Sequence, residues 1–267
     1  MIDYLYGVDG ILKLYSSYCE LIVDNSGEIR DKFKQLSIIP TFLFYGLPST
    51  GKTSVANQIY NELKKKHNID YYSLRMDQIT SYNFGESSKN LIDFFDNVKD
   101  DMKKNKSKAF IIIDELDSFT INRYNCDNDS IRRILLTFNK IIDELIQSND
   151  IYNMIIIGTT NVLESIDTAT LRRFYFKQDF DYILDEFQFK EYIDELCKIS
   201  GFKCNDIKEF YSIYQNKHFT LGEIKRFFAE QFLKKICQDG SFDYIDIGSL
   251  KYEKSIYEYC KLQKENI

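Results

Sequence analysis

The chain contains no tryptophan, two prolines and two histidines in 267 residues, and each shortage narrows what it can be. With proline confined to Pro40 and Pro48, element boundaries have to be read from hydrophobic periodicity. His67 and His218 are joined by six cysteines (Cys19, Cys126, Cys197, Cys204, Cys237, Cys260) in unlike surroundings and without a Cys-x-x-Cys pair. That pattern argues against a structural zinc site and against a disulfide framework. No apolar run approaches the roughly 18 residues that a membrane helix needs, and the opening MIDYLYGVDG lacks the basic and apolar regions of a signal peptide. A reducing, cytoplasmic compartment is the expectation. Positive charge is also short, with 35 Lys and Arg against 41 Asp and Glu and a net charge of -6. That is the wrong sign for a chain whose main work is to neutralise nucleic-acid phosphates. What is present, 44% hydrophobic residues, suffices for a sizeable core in one composite domain or two small ones.

Five apolar runs read as buried strands: 41–45 (TFLFY), 69–74 (IDYYSL), 109–113 (AFIII), 154–157 (MIII) and the shorter 174–176 (FYF). Between them, Val55, Ile59 and Leu63, then Leu91, Phe94, Phe95, Val98 and Met102, then Ile131, Ile134, Leu135, Phe138, Ile142 and Leu145 recur at helical spacing. Strand and helix alternate, so residues 1–182 are expected to form an α/β domain, a parallel sheet sandwiched by helices. From about Asp185 the strand signal gives way to helical patterns such as FQFKEYIDELCKI and LGEIKRFFAEQFLKKI. Residues 183–267 are therefore expected to form a small helical domain.

The first strand runs into Gly46-Leu47-Pro48-Ser49-Thr50-Gly51-Lys52-Thr53, which fits the pattern Gly-x4-Gly-Lys-Ser/Thr at each fixed position. In such a loop backbone N–H groups wrap phosphates, the lysine neutralises the outer ones, the threonine hydroxyl faces Mg²⁺, and the helix N-terminus adds its dipole. The third strand delivers Asp114 and Glu115 at its end. Asp114 is expected to hold Mg²⁺ through water, and Glu115 to orient and deprotonate the water that attacks a γ-phosphate.

Taken together these motifs resemble the AAA+ ATPases, in the protein-remodelling branch that includes spastin and katanin, over nearly the whole chain. Tyr6-Gly7-Val8-Asp9 looks like the family's opening segment, in which the backbone at Gly7 would edge the adenine. Asp114-Glu115-Leu116-Asp117-Ser118 is similar to its second acidic motif, with Arg123 and Arg132-Arg133 at spastin-like spacing. Gly158-Thr159-Thr160-Asn161 resembles sensor 1, which implies that Asn161 holds the attacking water beside Glu115. Ile166 to Phe174 looks like the segment whose arginines, here Arg172 and Arg173, reach a neighbouring subunit's γ-phosphate. Ser81 to Asn90 resembles the first pore loop and the start of the next helix, although Asn83 takes the usual aromatic position and the aromatic, Phe84, is displaced by one residue. Thr220-Leu221-Gly222-Glu223-Ile224 fits two registers of the lid, one of which makes Lys225 a sensor 2 cation.

The resemblance implies ATP and Mg²⁺ as cofactors, a homo-oligomeric ring of hexamer type, and ATP turnover coupled to unfolding or disassembling a macromolecule, with a protein substrate or adaptor favoured over nucleic acid. Because the opening motif lies within ten residues of Met1, substrate choice is expected to come from a partner, a short tail or the ring surface. Two other readings stay open: a clamp-loader or helicase-loader ATPase acting on DNA, and an assembly protein in which ATP mainly holds the ring together. The lysine runs at 64–66 and 103–108 read as solvated helix ends, where positive charge complements the dipole.

Overall fold

The protein is described by a computed structural model covering residues 6–24, 27–75, 86–117, 128–237 and 243–265. It divides into two compact units, one formed by Val8–Gly46 and Lys52–Asp179, the other by Met1–Gly7, Leu47–Gly51 and Phe180–Ile267.

The first unit opens with helices α1 (Asp9–Asp24) and α2 (Gly27–Gln35). Strand β1 (Thr41–Tyr45) and helix α3 (Lys52–Lys64) follow, then β2 (Ile69–Arg75), α4 (Glu86–Asn105), β3 (Lys108–Asp114) and α5 (Asn128–Gln147). It ends with β4 (Met154–Thr160), the short α6 (Thr168–Leu171) and β5 (Phe176–Asp179). The five strands pair in parallel in the order β2-β3-β4-β1-β5.

Residue pattern explains that order. β4 is buried along its whole length, and β1 and β3 nearly so, as continuous apolar runs require when both sheet faces are covered. β2 and β5 alternate buried or half-buried with exposed positions and take the edges. Alternate residues of β1 go to opposite faces. Leu43 joins a core with Leu91, Phe95 and Val98 of α4 and Phe138 and Ile142 of α5, whereas Phe42 and Phe44 meet the ring of Tyr15 on α1 edge-on. On that second face Tyr60 of α3 packs on Phe110 of β3.

The run 174–176 does not form the fifth strand as expected; β5 starts at Phe176 and continues through polar Lys177 and Gln178. Phe174 is instead a core residue, stacked on Phe138 with ring centroids 6.0 Å apart. An edge strand needs few apolar residues, so its polar half carries no strand signal.

The second unit is helical: α7 (Glu186–Ser200), α8 (Ile207–Lys217), α9 (Leu221–Cys237), α10 (Ile247–Leu250) and α11 (Ile256–Glu265). Asp185 and Gln188 form a reciprocal capping box at the start of α7, and Gly201, at φ +72°, ends it. Aromatic rings fill the core, with Phe189 stacked on Tyr214 at 4.5 Å and Phe210 packed on Phe227 and Phe228. Among the described residues no helix is long and apolar enough to cross a membrane.

Candidate nucleotide site

The carboxyl ends of parallel strands, where the order doubles back, are where α/β sheets expose loops to ligands. β1 lies beside β4 and β4 beside β3, so the segments after these strands are neighbours.

The segment after β1 is the glycine-rich loop. Gly46 (φ +136°), Ser49 (φ +65°) and Gly51 (φ +95°) turn it sharply before α3 begins at Lys52. The glycines take those angles without a Cβ penalty. The first turn of α3 holds no acidic residue, which leaves its positive dipole end available to an anion. Lys52 is 7% exposed, and its Nζ donates to the Gly46 carbonyl at 2.7 Å. Thr50 Oγ1 donates to the Leu47 carbonyl at 2.9 Å, and the Leu47 N–H donates to a carboxylate oxygen of Asp181. A loop amide thus already receives a negatively charged oxygen.

β3 ends in Asp114, whose Oδ1 accepts from Thr53 Oγ1 at 3.0 Å and from Thr159 Oγ1. Glu115 follows with φ +57°, left-handed for a non-glycine residue, and is exposed. Its N–H donates to Thr159 Oγ1 at 3.1 Å, and the Leu116 N–H donates to the Thr159 carbonyl at 2.9 Å. Asp117, 4% exposed, accepts from Thr160 Oγ1 and from the Asn161 N–H, each at 2.9 Å. The β3 and β4 ends are therefore tied together, with Glu115 and Asn161 on the two sides of the tie.

Beyond β4, Asp167 caps α6 by accepting from the N–H groups of Ala169 and Thr170. This turn presents Arg172 and Arg173 differently. Arg173 makes a two-point contact with Asp143 on α5, at 2.7 and 3.2 Å, and donates to the Ala169 carbonyl. Arg172 is exposed, with no side-chain partner among the described residues.

Gly7 lies in the other unit at φ +76°, where a Cβ would stand 2.7 Å from Leu184 Cδ2 and 3.0 Å from the Tyr182 ring. In that unit Leu47, Thr50, Asp181, Tyr182, Phe219 and Tyr257 help to line a cavity of about 230 Å³. Pro48 is half-buried in the loop tip, and Lys225 is exposed on α9. Phe84 and Arg123 lie outside the described residues.

The donor set suits a magnesium nucleotide. Mg²⁺ prefers hard oxygens and keeps several waters, so one carboxylate and one hydroxyl beside a phosphate loop are enough for it. Thr53 and Asp114 supply that pair, and no cluster of three or more His, Cys, Asp or Glu side chains able to hold a metal occurs among the described residues. Motif reading points to Lys52, Thr53, Asp114 and Glu115 but gives no role to Thr159, Asp117 or Asp181. Side-chain oxygens spaced one residue apart at a strand end are the available signal for Thr159 and Asp117; Asp181 has none.

A glycine-rich loop joining β1 to a helix, with an aspartate two strands away aimed at the same threonine, defines a P-loop nucleotide-binding protein. Residues 42–182 match the model of the ATPase family associated with various cellular activities (AAA), and the chain belongs to that family. That family is one of ATPases, and the donor set described above suits ATP with Mg²⁺. Among curated relatives, Cell division protein C of Sulfolobus acidocaldarius is 29% identical over 241 residues, which is 79% of this chain and 60% of that protein. The Pachytene checkpoint protein 2 homolog of Mus musculus is 29% identical over 146 residues, 51% of this chain and 33% of that protein. The chain therefore spans 60% or less of these relatives' lengths. Among solved structures, a chain of the E. coli MS115-1 HORMA:CdnC:Trip13 complex superposes with a TM-score of 0.73 at 19% identity, covering 92% of this chain and 87% of that one, a likeness of fold.

Proposed function

We propose that the chain is a motor domain that hydrolyses Mg-ATP within a ring of its own copies and uses the turnover to remodel a protein client. The observation that carries the ring reading is Arg172, an exposed cation with no side-chain partner among the described residues, beside an arginine that Asp143 already holds. A guanidinium on a capped turn can neutralise charge spreading over a γ-phosphate in an adjoining copy, an effect worth roughly 10³ to 10⁵ in rate. Arg173 then serves to hold the turn.

Within one copy, the Lys52 ammonium and the loop amides bind the phosphates, and Thr53 and Asp114 hold the metal, Asp114 through water. Mg²⁺, when bound, neutralises charge on the phosphate oxygens. The Glu115 carboxylate accepts the proton of the attacking water while Asn161 orients that water. The family resemblance implies in addition that the backbone at Gly7 edges the adenine and that Phe84 grips the client.

A protein client is supported by the names of the relatives, which concern cell division and a pachytene checkpoint, and by the solved complex, in which Trip13 is joined by HORMA and CdnC. The net charge of -6 weighs against a DNA client. The test is Glu115→Gln held in ATP and followed by native mass spectrometry, with client capture alongside. Closed rings carrying protein support the reading. A monomer at every concentration refutes the ring, and turnover in the unmodified chain that rises on addition of DNA transfers the assignment to a DNA-processing ATPase.

A further inference from the structure

Thr159 touches three consecutive residues of the neighbouring strand end. It is 2% exposed; its hydroxyl donates to Asp114 Oδ1 and accepts from the Glu115 N–H at 3.1 Å, and its carbonyl accepts from the Leu116 N–H at 2.9 Å. A buried threonine hydroxyl needs only one bond to be satisfied, usually to its own backbone. Here both donor and acceptor capacity go to the two acidic residues at the candidate site. Glu115, moreover, sits at φ +57°, a conformation costly for a residue with a Cβ, which persists only where surrounding contacts over-determine it. Two of those contacts come from Thr159.

We propose that Thr159 is a positioning residue for ATP hydrolysis, whose single hydroxyl locks the carboxylate that holds the metal to the backbone of the residue that activates water. The inference rests on the assignment of Asp114 and Glu115 made above. Thr53 also donates to Asp114 Oδ1, at 3.0 Å, but it belongs to the helix that follows the phosphate loop, where its hydroxyl would be shared with a bound metal. Thr159 stands on β4 outside that loop, so its bond to Asp114 needs no change when the loop is filled. Groups that hydrogen-bond a metal-holding carboxylate matter roughly 10- to 100-fold in affinity or activity.

The test compares Thr159→Val, which keeps the shape and removes the hydroxyl, with Thr159→Ser, which keeps the hydroxyl and removes the methyl. Thr159→Val is expected to lower kcat roughly 10- to 100-fold with little change in KM for ATP, and to raise the Mg²⁺ concentration needed for half-maximal binding of a fluorescent ATP analogue. In the nucleotide-free protein its amides at 115–117 should exchange hydrogen faster. Thr159→Ser should stay close to the unmodified chain in all three. A folded Thr159→Val with unchanged kcat, Mg²⁺ requirement and exchange overturns the proposal. So does a Thr159→Ser as impaired as the valine variant, because packing of the methyl would then be the need. If Thr159→Val does not fold, Thr159→Ala against Thr159→Ser makes the same comparison. Glu115→Gln is the control: its turning over ATP normally would remove the parent assignment, whereas its inactivity beside an unaffected Thr159→Val removes only the role of Thr159.

Discussion

Adding one methyl group to Gly158 should cost both stability and turnover. A Cβ built there stands 2.7 Å from Leu116 Cδ1 and 2.8 and 2.9 Å from Cζ and Cε1 of Phe174. Comfortable carbon–carbon contacts lie at about 3.5 to 4.0 Å, so these groups must retreat by most of an ångström. Neither has room, since Leu116 and Phe174 are each 1% exposed and Phe174 is backed by the Phe138 ring. Overfilling a packed core costs about 1–3 kcal/mol, and a mid-range value of about 2 kcal/mol lowers Tm by about 4 to 8 °C for a unit of this size. Leu116 follows Glu115 directly and its N–H is tied to Thr159, so a shift here also disturbs the loop of the candidate site. Thermal unfolding by circular dichroism, with ATPase assayed well below Tm, reads both effects. Gly10→Ala is the control, because a Cβ there meets nothing within 4 Å, and it should be neutral or mildly stabilising in α1. A Gly158→Ala variant that melts within a degree of the unmodified chain, with equal turnover, would refute the packing argument.

Three further outcomes rest on the same geometry. Lys52→Ala should abolish ATP binding, whereas Glu115→Gln should bind ATP and lose roughly 10²- to 10⁴-fold in turnover; equilibrium binding and phosphate release separate the two, and normal turnover in the glutamine variant contradicts the assignment. Arg172→Ala subunits mixed with Glu115→Gln subunits should regain some activity, while Arg173→Ala and Asp143→Ala should resemble each other by loosening the turn; absence of recovery in mixed rings confirmed by native mass spectrometry counts against action across a boundary. Burial raises the Cys19 thiol above its usual 9.0 and, with nearby Tyr18, Tyr45 and Cys19, raises the Tyr15 hydroxyl from 10.0 to about 12. The folded chain keeps protons that the unfolded chain releases, so these groups contribute stability that is complete below about pH 9 and is lost as pH rises through the folded-state values. In urea titrations Tyr15→Phe should make the decline above pH 10 shallower, and an unchanged slope would assign that decline to other groups.

Legibility tracks the strength of the local pattern. Both faces of the central strands are covered, so β1, β3 and β4 appear as unbroken apolar runs, and the glycine-rich motif is written in consecutive residues because one loop must do the wrapping. Helices α1 and α2 are not evident from the pattern, although Tyr15, Cys19, Ile22 and Val23 recur at helical spacing and are buried. The exposed Leu14 and Leu21 on the same helix blur that stripe. Within the candidate site, the residues proposed to touch nucleotide and metal, Lys52, Thr53, Asp114 and Glu115, sit in two short motifs of fixed spacing and are visible. Residues that hold those residues, Thr159 and Asp117, show only a spacing of side-chain oxygens in their own segments, because the bonds they make depend on which strands become neighbours.

The pairing of β1 has a consequence for how the chain is made. Thr41 pairs with Ile156 and Phe42 with Phe176, partners synthesised well over a hundred residues later. At about 5 to 20 residues per second, TFLFY waits on the order of ten seconds beside the ribosome before either flank of its strand exists. During that interval a short, uncharged, aromatic segment of high β-propensity is open to pairing with other nascent chains. Early-acting chaperones that shield such segments should therefore raise the yield of native protein more than slower translation alone, since slowing synthesis lengthens the exposure.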